Sequence, residues 1–167
     1  MSKIRFTEPN REILARRDSI INDLTRLVDP AGLITSTDEC RAYETDALTA
    51  YRKMPLAVVL PKTTEEVSAV LKYCHDTGVK VVPRGAGTSL AGGAIPSEDA
   101  VVLGLSKMNR VLAVNYDDRF IRVEAGVTNL SVTAVVAENG FFYAPDPSSQ
   151  LACTIGGNIA NNSGGAH

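Results

Sequence analysis

Histidine and cysteine are scarce in this chain, and no long apolar run occurs. The 167 residues include two histidines, His75 and His167, too few for a histidine-rich metal site. Three cysteines, Cys40, Cys74 and Cys153, lie far apart. Their odd number and lack of metal-ligand spacing fit free thiols in a reducing cytoplasm, and no metal is expected. No apolar segment approaches the roughly 20 residues that a membrane-spanning helix needs. The opening "MSKIRFTEPNRE" lacks the apolar core of a signal peptide. The expectation is therefore a cytoplasmic protein with no membrane span. Lys and Arg total 17 against 19 Asp and Glu, a net charge of −2, so no broad basic surface is offered to nucleic acid.

What is present is ordinary globular sequence, 44% hydrophobic and 22% charged, long enough for one domain with its own core. Residues 8–28 carry Ile13, Arg17, Ile20, Leu24 and Leu27 at three- and four-residue spacing, which predicts one amphipathic helix ended by "DPAG". Residues 33–54 are mixed and weakly periodic. Residues 1–54 are thus read as a helix and connecting arm, and 55–167 as the main domain.

There "LAVVLP" at 56–61 predicts a strand buried on both faces. Thr63 and Glu66 have capping-box spacing, and Val67, Val70, Leu71 and Cys74 form one helical face that Gly78 ends. "VKVV" at 79–82 is read as another buried strand, which favours a parallel strand–helix–strand pair. "AVVLGL" at 100–105 is a third strand, 110–126 a hairpin, and 129–140 a helix with Asn129 as N-cap and Gly140 beyond its end.

Eight of the 13 glycines fall in two stretches, 85–93 and 156–165. One glycine is commonly a turn, but clustered glycines let several backbone N–H groups converge on one anion. "PRGAGTSLAGG" follows a predicted strand and adds the hydroxyls of Thr88 and Ser89. Arg84 has two readings, a charge for phosphate or the partner of a structural carboxylate. The P-loop pattern is absent, because no Lys follows a glycine. "GAGTSLAG" also misses the Rossmann spacing by two residues. The loop thus reads as a dinucleotide cradle of a different kind.

The ordered motifs "PLAVVLPKTTEEVSAVLKYCHDTGVKVVPRGAGTSLAGG", "VVLGLSKMNRVLAVNYDDRFIRVEAGV" and "PDPSSQLACTIGGNIANNSGGAH" resemble the PCMH-type FAD-binding domain of the vanillyl-alcohol oxidase / p-cresol methylhydroxylase superfamily. Within it they are most similar to the glycolate oxidase flavin subunit and D-lactate dehydrogenase group. The resemblance covers roughly residues 40–167. It implies an α+β fold: an N-terminal βαβ subdomain and the start of a second subdomain.

It also implies which residues hold the cofactor. Pro83, Arg84, Gly85, Ala86, Gly87, Thr88, Ser89 and Gly92 would wrap the FAD pyrophosphate. Pro145, Asp146, Pro147 and Ser148 would pass near the flavin or ribityl. Thr154, Gly156, Gly157, Asn158, Ala160, Asn161, Gly164 and Gly165 would line the second wall. Members with covalent flavin often carry a histidine where this loop has Thr88. With no His or Cys in the loop, non-covalent FAD is expected. Cys153, beside this wall, is read as a small packed side chain.

The implied activity is oxidation of a D-2-hydroxy acid, glycolate or D-lactate, to the 2-oxo acid. A hydride would pass to the flavin, and electrons would leave to a quinone or an electron-acceptor protein. Family members continue with further strands and a cap domain that carry the acid–base residues and often metal-binding histidines. The chain is accordingly read as an N-terminal piece. By itself it would be inactive, would hold FAD weakly or not at all, and would be prone to self-association. The alternative from another class is a non-catalytic nucleotide-binding or interaction module. Oxidised-flavin absorption of the purified protein separates the two.

Overall fold

The computed structural model describes residues 7–167. The first six residues of the predicted arm, and of the stretch tested for a signal peptide, lie outside it. The predicted helix over 8–28 forms as two, α1 (Arg11–Ala15) and α2 (Arg17–Leu24). They break at Arg16, whose N–H bonds Ile13 O rather than continuing the four-residue ladder. Each half is tied elsewhere. The Asn10 N–H before α1 donates to Asp99 Oδ2 at 2.8 Å, and Arg17 Nη2 donates to Thr35 O at 2.7 Å. The apolar stripe survives the break, with Ile13, Ile20 and Leu24 all buried.

The stretch read as an irregular arm contributes β1 (Leu33–Ile34) and a short helix α3 (Thr37–Cys40). Strand β2 (Ala57–Val59) is fully buried, as a continuous apolar run predicts. Helix α4 (Thr64–Thr77) begins where its capping chemistry sits: Thr63 Oγ1 accepts the Glu66 N–H at 3.2 Å. The Glu66 carboxylate reaches one residue further back than a capping box requires, to the Lys62 N–H at 2.6 Å. Gly78 ends the helix in the left-handed region, and Val79 N–H bonds Cys74 O at 2.9 Å. Val70 and Cys74 are buried as expected, but Leu71 lies 45% exposed and is no part of the inner face.

Strands β3 (Lys80–Arg84) and β4 (Ala100–Gly104) complete a sheet of order β1-β2-β4-β3. Strands β2, β3 and β4 are parallel, and β1 joins antiparallel. The expected direct pairing of β2 with β3 does not occur, because β4 inserts between them. The inserted strand is the more apolar: β4 is buried throughout, whereas β3 is a half-exposed edge with Lys80 outward. An edge also suits Pro83, which has no N–H for a further strand.

One face of the sheet, through Ala57, Val59, Val101 and Leu103, packs on α1, α2 and α4. The other, through Val58 and Val102, packs on Cys40, Leu60, Ile34, Tyr43 and Met54. The arm thus covers a sheet face.

The predicted hairpin forms as β5 (Val111–Asn115) and β6 (Phe120–Val123). Its base is clasped by Glu124, whose carboxylate accepts Arg110 N–H at 2.8 Å and Arg110 Nη2 at 2.7 Å. Helix α5 (Asn129–Val136) has Thr128, not Asn129, at its N-cap position, without a side-chain capping hydrogen bond. The Asn129 side chain is buried and donates from Nδ2 to Pro145 O at 3.0 Å. It was misread as a cap because Asn favours that position generally. Gly140 ends the helical stretch in the left-handed region. Helix α6 (Ile155–Ala160) follows Thr154, whose Oγ1 accepts the Gly157 N–H at 3.2 Å. Among the described residues, no helix is long and apolar enough to cross a membrane.

Candidate functional site

The loop leaving β3 and the turn into α6 face each other across a cleft of about 600 Å³. Parallel strand order places the loop: β3 delivers residues 84–89 at the carboxyl end of the sheet, where open parallel sheets bind ligands. A backbone bridge, Thr128 to Thr154, and the bond from Ile155 N–H to Val127 O at 2.9 Å fix the second wall.

The two walls meet at glycines. A Cβ on Gly85 would lie 2.7 Å from Thr154 Oγ1 and 3.6 Å from Gly157 Cα. One on Gly156 would lie 2.8 Å from Ala125 Cβ. No larger residue lets the loop, α6 and the segment after β6 approach this closely. Gly87 is required by conformation as well, with φ at +73°.

Most of the predicted site residues line the cleft: Pro83 through Ser89, Pro147, Ser148, Thr154, Gly156, Gly157, Asn158, Ala160 and Asn161. Gly92, Pro145, Asp146, Gly164 and Gly165 do not line it. Gly92 turns the loop beside Leu48 and Ile95, again at positive φ. Pro145 serves Asn129. Asp146 accepts Ala166 N–H at 2.8 Å and His167 Nδ1 at 2.9 Å, and Gly165 packs against its backbone. The His167 hydrogen bond holds the Asp146 carboxyl below its usual range. This corner therefore fastens segment 164–167 to 146.

The lining also includes Leu90, Ala94, Leu105, Ala125, Ser149, Cys153 and Ser163. Leu105 and Ala125 come from strand ends that only the fold brings here; no motif marked them. Cys153 is a buried free thiol.

Several polar groups of the lining are already engaged. Ser89 Oγ accepts Ala91 N–H at 3.2 Å, and Asn161 Nδ2 donates to Gly157 O at 3.0 Å. The Arg84 guanidinium is held by the arm. Its Nη1 donates to Thr45 O at 2.7 Å, and its Cζ sits 5.5 Å from the centre of the Tyr43 ring. Burial pushes the guanidinium below its usual range, with the charges of Asp46 and Tyr43 opposing. Its hydrogen-bond partner is a backbone carbonyl, not the structural carboxylate of the second sequence reading.

Asn158 is the exception: it is 7% exposed, and its Nδ2 has no acceptor. A buried amide donor left unpaired costs about 1–3 kcal/mol. Asn158 lies in the cleft wall. The donor set is neutral amides and hydroxyls around glycines. That chemistry fits a diphosphate held by backbone N–H groups.

Residues 55–167 match the family model described as FAD binding domain. The chain belongs to that family. It is 47% identical over 151 residues to the glycolate oxidase subunit GlcD of Escherichia coli, covering 90% of this chain and 30% of that protein. It is 36% identical over 148 residues to the D-2-hydroxyglutarate dehydrogenase of Xanthomonas citri pv. viticola, covering 89% and 31%. The FAD-binding chain therefore spans about a third of the length of these curated relatives.

Among solved structures it superposes on alkyldihydroxyacetonephosphate synthase with a TM-score of 0.79 at 22% identity, over 97% of this chain and 32% of that one. On p-cresol methylhydroxylase with substrate bound the TM-score is 0.73 at 21% identity, over 90% and 30%. The fold is thus the mixed α+β PCMH-type fold expected from the sequence.

Proposed function

We propose that the cleft holds FAD non-covalently, and that the protein oxidises a D-2-hydroxy acid such as glycolate or D-lactate to the 2-oxo acid in the cytoplasm. The observation that carries the cofactor reading is the unpaired Nδ2 of buried Asn158 between two glycine walls. The substrate class is supported by similarity to GlcD. When bound, FAD supplies the two-electron acceptor for the substrate hydride.

The chain's own residues bind and orient. The N–H groups of Gly85 through Ser89 would hold the diphosphate, while Gly85 and Gly87 let the loop close on Thr154 and Arg84. Asn158 donates from the opposite wall. Leu105 and Ala125 give the cleft an apolar floor that excludes water. Thr88 stands where a covalent link would need a histidine, so the flavin stays releasable. Electrons leave to an acceptor protein or a quinone. The described part of the arm, 7–54, with its two helices α1 and α2, serves the domain at 55–167.

Purified protein in its longest form, assayed against D- and L-2-hydroxy acids with a dye acceptor, tests the reading. Flavin absorption with D-specific turnover, and all flavin released by acid precipitation, is the expected result. Activity restricted to phenols would remove the substrate claim, and flavin remaining in the pellet would remove the non-covalent claim. The 167-residue chain alone should self-associate, since the β5–β6 pair leaves two open edges with Leu112 and Phe120 exposed. Light scattering that stays monomeric across a concentration series would refute this.

A further inference from the structure

We propose that Tyr43, Thr45, Asp46 and Ala47 form a latch that holds Arg84 beneath Gly87 and so presets the glycine loop, making Arg84 a positioning residue rather than a phosphate ligand. The proposal deepens the cofactor reading and rests on it for what the loop receives.

Four observations converge. The Arg84 guanidinium donates to Thr45 O at 2.7 Å and stacks over Tyr43. The same guanidinium fills the space under Gly87, where any Cβ would collide with it. The loop is tied back from the other side, since Ala47 N–H donates to Gly87 O at 2.9 Å. Asp46, between these anchors, is 4% exposed. Its Oδ1 accepts Leu48 N–H at 3.0 Å, while its Oδ2 is buried without a partner.

A buried carboxylate oxygen left unpaired is costly. Asp46 sits in sequence between the two anchors, Thr45 on Arg84 and Ala47 on Gly87, and its charge favours the Arg84 guanidinium without an ion pair in contact. Thr45 stiffens the latch from within, its hydroxyl donating to Tyr51 O at 2.9 Å. The arm therefore fixes the backbone of 84–87 before any ligand arrives, and a preset loop binds without first losing freedom. A phosphate ligand would instead point its guanidinium into the cleft.

The test uses the full chain with Asp46→Asn, Arg84→Gln and the conservative Arg84→Lys. Amide hydrogen exchange is read without ligand. The reporter is the Ala47 N–H, whose acceptor is Gly87 O. The reference is Leu56 N–H, bonded to Ala100 O in the sheet. Loss of the latch should speed Ala47 exchange about tenfold in Asp46→Asn and Arg84→Gln, and less in Arg84→Lys, with Leu56 unchanged. If Leu56 protection also falls, Tyr43→Leu, which removes the ring under the guanidinium but keeps an apolar side chain against the sheet, should still speed Ala47. Unchanged Ala47 exchange in Asp46→Asn and Tyr43→Leu overturns the latch.

FAD titration, followed by flavin fluorescence, adds a test of sign. Removing a negative charge behind a diphosphate site should tighten binding if only Coulomb attraction acts. The latch predicts weakening by about tenfold, since the loop must then be ordered on binding. Equal or tighter binding by Asp46→Asn overturns it. If the unsubstituted chain holds FAD too weakly to give a signal, Ala47 exchange alone decides the latch.

Discussion

Lys80 Nζ lies 2.8 Å from Asp99 Oδ2 at the sheet's exposed edge, where the Asp99 carboxylate is only 1% exposed. Burial by itself would raise this carboxyl's pKa. Lys80, the Ser97 hydroxyl at 2.6 Å and the Asn10 N–H together outweigh it and hold the value at about 2. The folded value lies below the unfolded one, roughly 3.9. Asp99 therefore contributes stability that is fully present above about pH 4 and is lost as pH falls toward 2. The contribution is about 2 kcal/mol. Urea unfolding at pH 7 and at pH 3 should show this loss, and Asp99→Asn should lower stability at pH 7 while flattening the acid limb. An acid limb of unchanged slope in Asp99→Asn would show that other carboxylates govern it.

The approach of Gly85 to Thr154 Oγ1 predicts a coupled pair. Gly85→Ala should destabilise by about 1–3 kcal/mol by overpacking the junction of the two walls. Thr154→Ala should cost about 1 kcal/mol through the lost cap on Gly157. In the double variant the alanine at 85 gains the space the hydroxyl vacates, so the total should fall short of the sum by 0.5 kcal/mol or more, as for residues in contact. Thermal or urea unfolding of the four proteins measures the cycle. Strict additivity would mean that the walls are not in contact in solution.

How much of this was legible in the sequence depends on the range of the forces involved. The α4 start at Thr63 and its stop at Gly78 were readable because capping is local. The glycine loop was readable because its glycines are close together in the sequence. The insertion of β4 between β2 and β3 was not, since it depends on which of three apolar strands is buried most. Nor was β1, two residues long within a polar stretch and stabilised by pairing with Val58 and Val59. Arg84 was undecidable because its partners, Tyr43 and Thr45, lie some 40 residues away in the arm. Leu105 and Ala125 reach the cleft only through strand ends that converge in three dimensions.

Asn158 supplies a test that separates ligand binding from stability. Its Nδ2 is buried in the cleft wall with no acceptor, so the unliganded protein carries a cost that the ligand removes. Asn158→Leu keeps the branched shape and deletes the donor. The unliganded variant should melt at the same temperature or higher, because an unsatisfied donor of about 1–3 kcal/mol is gone. FAD affinity should fall by about 10- to 100-fold, the range for a hydrogen bond to a charged group. Asn158→Asp should weaken FAD further, since a carboxylate facing a diphosphate repels it. Differential scanning fluorimetry and flavin titration on the same samples give both quantities. A lowered melting temperature with unchanged FAD affinity would mean that Asn158 is part of the packing and that the ligand's diphosphate lies elsewhere along the cleft.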